Sequence, residues 1–142
     1  MDDILFDTNV ISELIRPKPD PNVTAFSREV QHPWICSITL HELIYGAERS
    51  PDPRRRARLL AWTAQIAVDF DVRTIVVDNE LAERSGRLRA LASVQGRTAS
   101  VIDTLIAAAA MSRGLTLATR NTKDFELFGI TLLDPWTGTR HD

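Results

Sequence analysis

The length, composition and charge of the chain restrict the kinds of protein it can be. Its 142 residues, 44% of them hydrophobic, suffice for a single domain with a buried core over residues 1–142. A net charge of −2 provides no overall positive field, so a polyanion would have to be held locally, by a metal ion or by basic patches. The lone cysteine, Cys36, excludes an internal disulfide and is typical of a reducing compartment.

No segment of the sequence is typical of export or of membrane insertion. The N-terminus reaches only a short apolar run, which lacks the length and the positively charged lead of a secretion signal. Even the apolar stretch at residues 105–111 is far shorter than the roughly 20 residues that cross a bilayer. The sequence therefore predicts a cytoplasmic protein without a membrane partner.

Short apolar runs alternate with longer helical patterns, which predicts βα units around a parallel sheet. The first half contains a strand at residues 4–6, helices at 10–15 and 22–30, a strand at 34–37, and helices at 40–49 and 54–67. The second half contains a strand at residues 74–77, helices at 79–93 and 98–112, and strands at 116–118 and 130–133. We expect an α/β fold with a central parallel sheet of about five strands flanked by helices.

Two of these helices are predicted to form a hairpin that projects from the sheet. A proline-rich break at residues 50–53 separates them, and residues 59, 60, 63, 66 and 67 give the second helix one apolar face. The helix at residues 79–93 is expected to turn a different set of side chains inward. These are Leu81, Leu88, Leu91 and Ala92.

Four acidic residues fall at or just beyond predicted strand ends, or in a helix packed beside them: Asp7, Glu42, Asp103 and Asp124. In open α/β sheets, ligands bind beyond the carboxyl ends of the strands. Most of these residues also have an ordinary structural explanation. Asp7 could cap the next helix, Glu42 could form a capping box with Thr39, and Asp124 could lie in a solvated turn.

Asp103 provides the strongest physical argument for a functional site. Its helix is apolar on nearly every face, so an ionised carboxylate there is costly unless it is paired or binds a metal ion. Two carboxylates about 4 Å apart repel by roughly 4 kcal/mol at an effective dielectric constant of about 20, so a cluster requires cations. Ligands that are all oxygen favour Mg²⁺ or Mn²⁺ over zinc. Phosphodiester hydrolysis is the chemistry that such a site serves best.

The segments around these acids resemble the PIN-domain ribonucleases, in particular the VapC and FitB-like toxins of bacterial toxin–antitoxin pairs. They are residues 5–12 (LFDTNVIS), 37–48 (SITLHELIYGAE), 103–108 (DTLIAA) and 117–125 (LATRNTKDF). The resemblance covers nearly the whole chain and rests on their order and spacing. It implies a PIN-like three-layer fold and a Mg²⁺- or Mn²⁺-dependent endoribonuclease. Such a protein is usually a homodimer, cuts RNA, and is inhibited by a cognate antitoxin, with which it can form a larger assembly.

The resemblance also implies a role for each residue of the site. Asp7 and Asp103 would be the principal metal ligands, and Glu42 would complete the first metal site. The family has its fourth acidic group at the position of Asn121 or at that of Asp124, and the amide at the first position makes Asp124 the expected ligand. The polar residues expected to orient these ligands or to contact phosphate are Thr8, Asn9, Thr119 and Asn121.

Two other functions remain as alternatives. A phosphotransfer protein would use Asp7 as the nucleophile of an aspartyl-phosphate, but Asn9 stands where a second carboxylate is usual. A noncatalytic PIN-like module that binds RNA or protein would gain nothing from repulsion among four carboxylates. The preferred hypothesis is hydrolysis of RNA by water, which leaves a 5′-phosphate and a 3′-hydroxyl.

Basic and aromatic residues outside the acidic cluster have two interpretations each. The arginines at residues 54–56 and 58 either contact RNA phosphates or form the solvated side of a helix. Trp34, Trp62 and Trp136 are expected to anchor the core or an interface, and exposed ones could stack on bases. The hairpin face with Leu59, Leu60 and Trp62 would suit a dimer contact or an antitoxin helix.

Overall fold

The computed structural model describes residues 3–142, which form one sheet with helices against both of its faces. Within that range the strands are β1 (Asp3–Phe6), β2 (His32–Cys36), β3 (Thr74–Ile75), β4 (Thr116–Ala118), β5 (Leu132–Leu133) and β6 (Arg140–His141). The α-helices of the same range are α1 (Thr8–Ile15), α2 (Pro21–Glu29), α3 (Ser37–Glu48), α4 (Pro53–Asp69), α5 (Asn79–Val94) and α6 (Val101–Arg113).

The order of the strands brings the ends of β1, β2 and β4 together. The sheet has the order β3-β2-β1-β4-β5-β6, with β1 to β5 parallel and β6 antiparallel to β5. The chain leaves β1 for β2 on one side and later returns to β4 on the other, so a crevice opens between neighbouring connections. The register sets Phe6 opposite Ala118, and the pairing continues into a hydrogen bond of 2.9 Å from the Asp7 amide to the Ala118 carbonyl.

Alternation along the strands divides the core into two layers. Ile4 and Phe6 of β1 pack in the layer beneath α1 to α4, whereas Leu5 packs in the layer beneath α5 and α6. The strands are nevertheless apolar at nearly every buried position, because helices cover both faces of the sheet. The predicted α/β class and the three-layer arrangement are confirmed, with six strands across residues 3–142 where about five were expected.

Helix α6 is the most deeply buried helix, as its continuous apolar sequence predicts. Its residues 104–110 are all buried, and a hydrogen bond of 2.8 Å between the Ser85 and Thr104 hydroxyls joins it to α5. A run of small alanines allows α5 and the sheet to approach α6 closely. No helix within residues 3–142 combines the length and the hydropathy needed to span a bilayer.

The predicted hairpin is formed by α3 and α4. Asp52 caps α4 by accepting a hydrogen bond of 3.0 Å from the Arg54 amide, and Pro53 occupies the first helical turn, where its missing N–H costs nothing. Trp62 and Ile66 pack partly on the core, while most of the other residues of α4 remain exposed.

The structure corrects several of the predicted elements. Leu91 was expected to point inward but is 41% exposed, because the buried face of α5 follows residues 81, 85, 88 and 92 and thus includes Ser85. Helix α3 begins at Ser37 rather than at residue 40. Strand β6 was not predicted, since its two polar residues pair with β5 only through a turn in which Gly138 has a φ of +77°.

Enlarging a side chain on α6 should destabilise the fold. Ala108 is fully buried, so the substitution Ala108→Leu is expected to lower the free energy of unfolding by about 1–3 kcal/mol through overpacking. The substitution Ala90→Leu on the exposed side of α5 is the matched control and should change stability by less than about 0.5 kcal/mol. Urea unfolding measures both values. Equal effects of the two substitutions would contradict close packing around α6.

Candidate functional site

Asp7 lies at the carboxyl end of β1 and is also the N-cap of α1. Its side chain is only 7% exposed. One carboxylate oxygen accepts a hydrogen bond of 2.8 Å from the Thr8 amide, and the other accepts one of 2.8 Å from the Thr119 hydroxyl. The predicted capping role is therefore present, and it fixes the direction of the carboxylate at the edge of the sheet.

The pKa of Asp7 is raised from its ordinary value of 3.8 to about 6. Burial is the largest cause, because the charged form loses hydration. The hydrogen bonds from Thr119 and Thr8 oppose the increase, whereas the negative charges of Asp103 and Asp124 add to it. Asp7 is thus a buried carboxylate within the electrostatic reach of two of the other predicted site residues.

A polar network joins Asp7 to the loop that follows β4. The Asn9 side-chain amide donates to Asp7 at 3.4 Å and to the Thr119 hydroxyl at 3.3 Å. The Asn9 side-chain oxygen accepts a hydrogen bond of 3.4 Å from the Arg120 amide, and the Thr119 hydroxyl accepts one of 3.0 Å from the Asn121 amide. The polar residues expected around the site thus hold the β1 and β4 ends together.

Thr8 reaches in the other direction, toward the helix after β2. Its hydroxyl lies 3.1 Å from that of Thr39, which is fully buried on α3. Thr39 therefore holds the Thr8 side chain from the buried side of the site. It does not cap α3, whose N-cap is Cys36, so the capping-box interpretation of Thr39 and Glu42 was wrong.

Asp103 occupies the first turn of α6 and not its interior. The helix begins at Val101 after the N-cap Ser100, whose hydroxyl accepts a hydrogen bond of 3.0 Å from the Asp103 amide. The Asp103 side chain is half-buried, and the positive end of the helix dipole favours its charge. The predicted cost of an ionised Asp103 is therefore partly offset, because the helix begins at Val101 rather than at residue 98 and Asp103 lies in its first turn.

The pKa of Asp103 is nevertheless raised. Burial is the main cause, a side-chain hydrogen bond with Ser100 opposes it, and the charges of Asp124 and Glu42 add to it. Glu42 lies in the second turn of α3 and is half-buried. Asp124 ends a short 3₁₀ turn, Thr122–Asp124, and is exposed. All four predicted acids therefore share one region of negative potential.

A groove of about 460 Å³ brings three of the four acids together. Asp7, Glu42 and Asp103 line it with Thr8, Asn9 and Asn121. Thr119 is fully buried and supports Asp7, and Asp124 acts on the groove by its charge without lining it. Trp136, which the sequence suggested only as an anchor or as a base-stacking residue, also lines the groove. The other lining residues were not predicted from the sequence: Ser12, Glu13, Arg16, Ile102 and Arg120.

Glu13 is the acidic residue of the groove that sequence reasoning missed. It is 7% exposed, and its carboxylate accepts a hydrogen bond of 3.2 Å from the Arg16 guanidinium and one of 2.9 Å from the Asp20 amide. The pattern that could have revealed it is a charged residue among the inward-facing apolar positions of α1. Glu13 anchors the turn after α1 and pairs with Arg16, which also lines the groove.

The carboxylates line the same groove, but their side chains are not arranged to coordinate one metal ion. Across residues 3–142, no three acidic, histidine or cysteine side chains stand close enough to hold a metal ion as they are placed. Asp7 is fixed by its hydrogen bonds, whereas Glu42 and Asp124 make no side-chain hydrogen bond or salt bridge within the part of the chain described. Binding of one ion by several of them would therefore require their side chains to rotate inward.

The fold and the groove define an α/β protein with an acidic site at the edge where its central parallel strands end. The PIN domain family matches residues 4–129 of the chain. The tRNA(fMet)-specific endonuclease VapC of Shigella flexneri is 35% identical over 135 residues, which cover 94% of this chain and 97% of that protein. Toxin FitB of Neisseria gonorrhoeae is 32% identical over 136 residues, which cover 94% and 98%. The chain therefore belongs to the PIN-domain family, in the group of VapC and FitB.

Solved structures give the same result for the fold. FitAcB from Neisseria gonorrhoeae superposes with a TM-score of 0.86 at 32% identity and covers 94% of this chain and 98% of that one. The DNA-bound VapBC of Salmonella typhimurium superposes with a TM-score of 0.79 at 33% identity and covers 95% and 99%. The resemblance and the PIN-like fold predicted from the sequence are confirmed.

The burial of Asp7 should make stability depend on pH. Between pH 3.8 and about 6 the folded chain retains a proton that the unfolded chain releases, so stability falls as pH rises through this window. Above this window, the ionised Asp7 lowers the free energy of unfolding by about 1–3 kcal/mol relative to its value below pH 3.8. The substitution Asp7→Asn removes the charge, so in EDTA it should raise the free energy of unfolding near neutral pH and lose this advantage near pH 4. Urea unfolding at several pH values checks this, and an advantage independent of pH would contradict it.

Proposed function

We propose that the chain is a single-domain endoribonuclease toxin, over residues 1–142, that hydrolyses RNA phosphodiester bonds with Mg²⁺ or Mn²⁺. The observation that carries the proposal is the groove in which Asp7, Glu42 and Asp103 meet while burial and mutual repulsion raise the pKa of Asp7 and Asp103. Clustered carboxylates of this kind lower the stability of the fold, and such clusters are typical of functional sites. The names of the VapC relatives, which include ribonuclease and endonuclease, support RNA as the substrate.

The donor atoms around the groove suit a hard divalent cation. They are carboxylate, hydroxyl and amide oxygens, and among residues 3–142 neither cysteine nor histidine lines the groove. Asp7, Glu42 and Asp103 would hold the ion, with Asp124 as the fourth acidic ligand. Bound there, a divalent ion would polarise the phosphodiester and lower the pKa of a water molecule.

The residues around Asp7 would orient the carboxylate for this task. The Thr8 amide donates to one Asp7 oxygen, whereas the Thr119 hydroxyl and the Asn9 side-chain amide both donate to the other. Within residues 3–142 the first oxygen therefore keeps a lone pair that an ion could use. Since the pKa of Asp7 is about 6, ion binding competes with a proton there. The proposed activity should therefore rise with pH between about 5 and 7.

A cognate antitoxin is the partner that the family supports best. The solved relatives include VapBC complexes and a toxin-antitoxin complex from Klebsiella pneumoniae. In this chain a second cavity, of about 690 Å³, lies between α1 and the α3–α4 hairpin. Leu43, Leu59 and Trp62 line it together with Arg55 and Arg58. Its apolar lining and basic side chains would suit an antitoxin segment with apolar and acidic side chains.

The proposed toxin would also form a homodimer and a larger toxin–antitoxin assembly. Helices α3 and α5 leave apolar side chains in solvent, among them Tyr45 at 54% and Val94 at 86% exposure. Surfaces of this kind are typical of contacts between copies.

The acidic residues should be essential for cleavage of RNA. Asp7→Asn, Glu42→Gln and Asp103→Asn should each reduce cleavage by about 100-fold or more, and EDTA should abolish it. Thr119→Val should reduce it by about 10- to 100-fold, because Thr119 orients Asp7. Gel analysis of structured RNAs incubated with Mg²⁺ or Mn²⁺ measures these effects.

The matched control for Glu42→Gln is Glu48→Gln, at an exposed position of the same helix. It should cleave RNA as the unsubstituted chain does. Asp103→Asn should keep the stability of the chain or raise it, which separates lost chemistry from lost folding. Cleavage that persists in EDTA or in Asp7→Asn would refute the proposal.

Asp124 and Asn121 should differ in their effects on metal dependence. If Asp124 is the fourth ligand, Asp124→Asn raises the Mn²⁺ concentration that gives half-maximal cleavage, because one negative charge is lost near Asp7 and Asp103. Asn121→Ala changes that concentration less. Mn²⁺ titrations of the cleavage rate measure both variants, and the reverse order would assign the fourth position to Asn121.

A further inference from the structure

Arg120 and Trp136 form a pair at the side of the acidic groove. Both residues line the groove with Asp7, Glu42 and Asp103. The guanidinium carbon of Arg120 lies over the Trp136 ring, 5.0 Å from its centroid, which is a cation–π contact. Arg120 is exposed and Trp136 is half-buried, so the residue that carries the cation is open to solvent.

Both members of the pair are held in place through the backbone, and Arg120 is held by residues of the acidic site. Arg120 follows Thr119, which donates to Asp7, and its amide donates to the Asn9 side chain. Trp136 is held by a hydrogen bond of 2.8 Å from its amide to the Asp134 carboxylate and by one of 2.9 Å from the Asn22 side chain to its carbonyl. Its ring also packs against the core layer beneath α1 to α4.

Arg120 remains uncommitted to any carboxylate despite its acidic surroundings. Within residues 3–142 it forms no salt bridge, although Asp7, Glu42 and Asp103 line the same groove. Arg16, which also lines the groove, is instead neutralised by Glu13 at 3.2 Å. Arg120 therefore presents a planar cation, backed by an indole ring, beside the place where the proposed cleavage would occur.

We propose that the Arg120–Trp136 pair is a base-stacking subsite for the RNA nucleotide next to the scissile phosphodiester. Single-stranded RNA is recognised largely by stacking of unpaired bases on aromatic rings and on arginine planes. A base lies on the exposed face of the Arg120 guanidinium, and the Trp136 ring supports that plane from behind. The cation also offsets part of the repulsion between RNA phosphate and the acidic groove.

The chain contains a second pair of the same type, which serves as an internal control. Arg113 lies over the Trp34 ring, 4.7 Å from its centroid, at the other end of α6. Arg113 lines a cavity with Thr74, Asp78 and Arg84, and none of the residues that line the acidic groove lines that cavity. If arginine–tryptophan contacts affected oligonucleotide binding in general, substitutions at both pairs would weaken it. If only the Arg120 pair is a base subsite, only substitutions at that pair would do so.

This inference rests on the proposed ribonuclease function, but its test measures binding and not cleavage. The probes are an oligoadenylate of about eight nucleotides and an abasic ribose-phosphate oligomer of equal length and charge. The chain and its Arg120→Lys and Arg113→Lys variants are titrated with both probes, with Ca²⁺ as the divalent cation, and gels verify that the probes stay intact. Lysine keeps the positive charge and removes the plane, so it separates stacking from attraction by charge.

We expect the unsubstituted chain to bind oligoadenylate about 5- to 100-fold more tightly than the abasic oligomer. Arg120→Lys should remove most of this preference and leave abasic binding unchanged, and Arg113→Lys should change neither. Trp136→Leu should likewise remove most of the preference for oligoadenylate. Its unfolding midpoint is measured first to verify that this variant is folded.

Three outcomes would overturn the subsite. They are failure of the unsubstituted chain to prefer the oligomer with bases, an unchanged preference in Arg120→Lys, and an equal loss in Arg113→Lys. Each of them leaves the proposed nuclease intact, because cleavage depends on the acidic residues and is assayed separately. Conversely, a preference for bases that is lost in Arg120→Lys, in a chain that fails to cleave RNA, would support base stacking at Arg120 and refute the nuclease.

Discussion

The hydrogen bond from the Thr119 hydroxyl to the Asp7 carboxylate is the contact on which the site depends. It exists because β1 and β4 are parallel neighbours in register, so residues that directly follow them lie side by side. Through Asn9 the same contact extends to the Arg120 amide, and through the Thr119 hydroxyl to the Asn121 amide. Two strands far apart in sequence thereby place an acid, a hydroxyl and the loop with Arg120 at one edge of the sheet.

Burial and charge act against each other at that edge. Asp7 is held by two short hydrogen bonds that favour its ionised form, yet desolvation and the neighbouring acids raise its pKa to about 6. Asp103 has the positive end of α6 beside it, and its pKa is still raised. The fold stabilises these carboxylates only in part. An added cation would remove the remaining repulsion, which connects the architecture to the proposed metal chemistry.

The cations around the groove have different surroundings. Arg16 is paired with the buried Glu13 and thereby belongs to the scaffold of the turn after α1. Arg120 is exposed and lies over Trp136. A groove lined by carboxylates and by a cation that forms no salt bridge within residues 3–142 suits the proposed binding of a metal ion and a nucleotide together. This difference between two arginines of the same charge arises entirely from their neighbours.

The sequence alone determined the types and order of the six α-helices and of β1 to β5, and the acids at the ends of the central strands, because apolar periodicity and turn residues are local properties. Together with the resemblance to PIN-domain proteins, it also predicted one site formed by Asp7, Thr8, Asn9, Glu42, Asp103, Thr119, Asn121 and Asp124, of which Asp124 does not line the groove. The tertiary structure decided what depends on distant contacts. Only the folded chain shows that Glu13, Arg120 and Trp136 line the groove and that Asp103 lies in the first turn of α6. Strand β6 likewise depends on its antiparallel pairing with β5. Burial and pairing between distant residues have no local pattern, so only the folded chain specifies them.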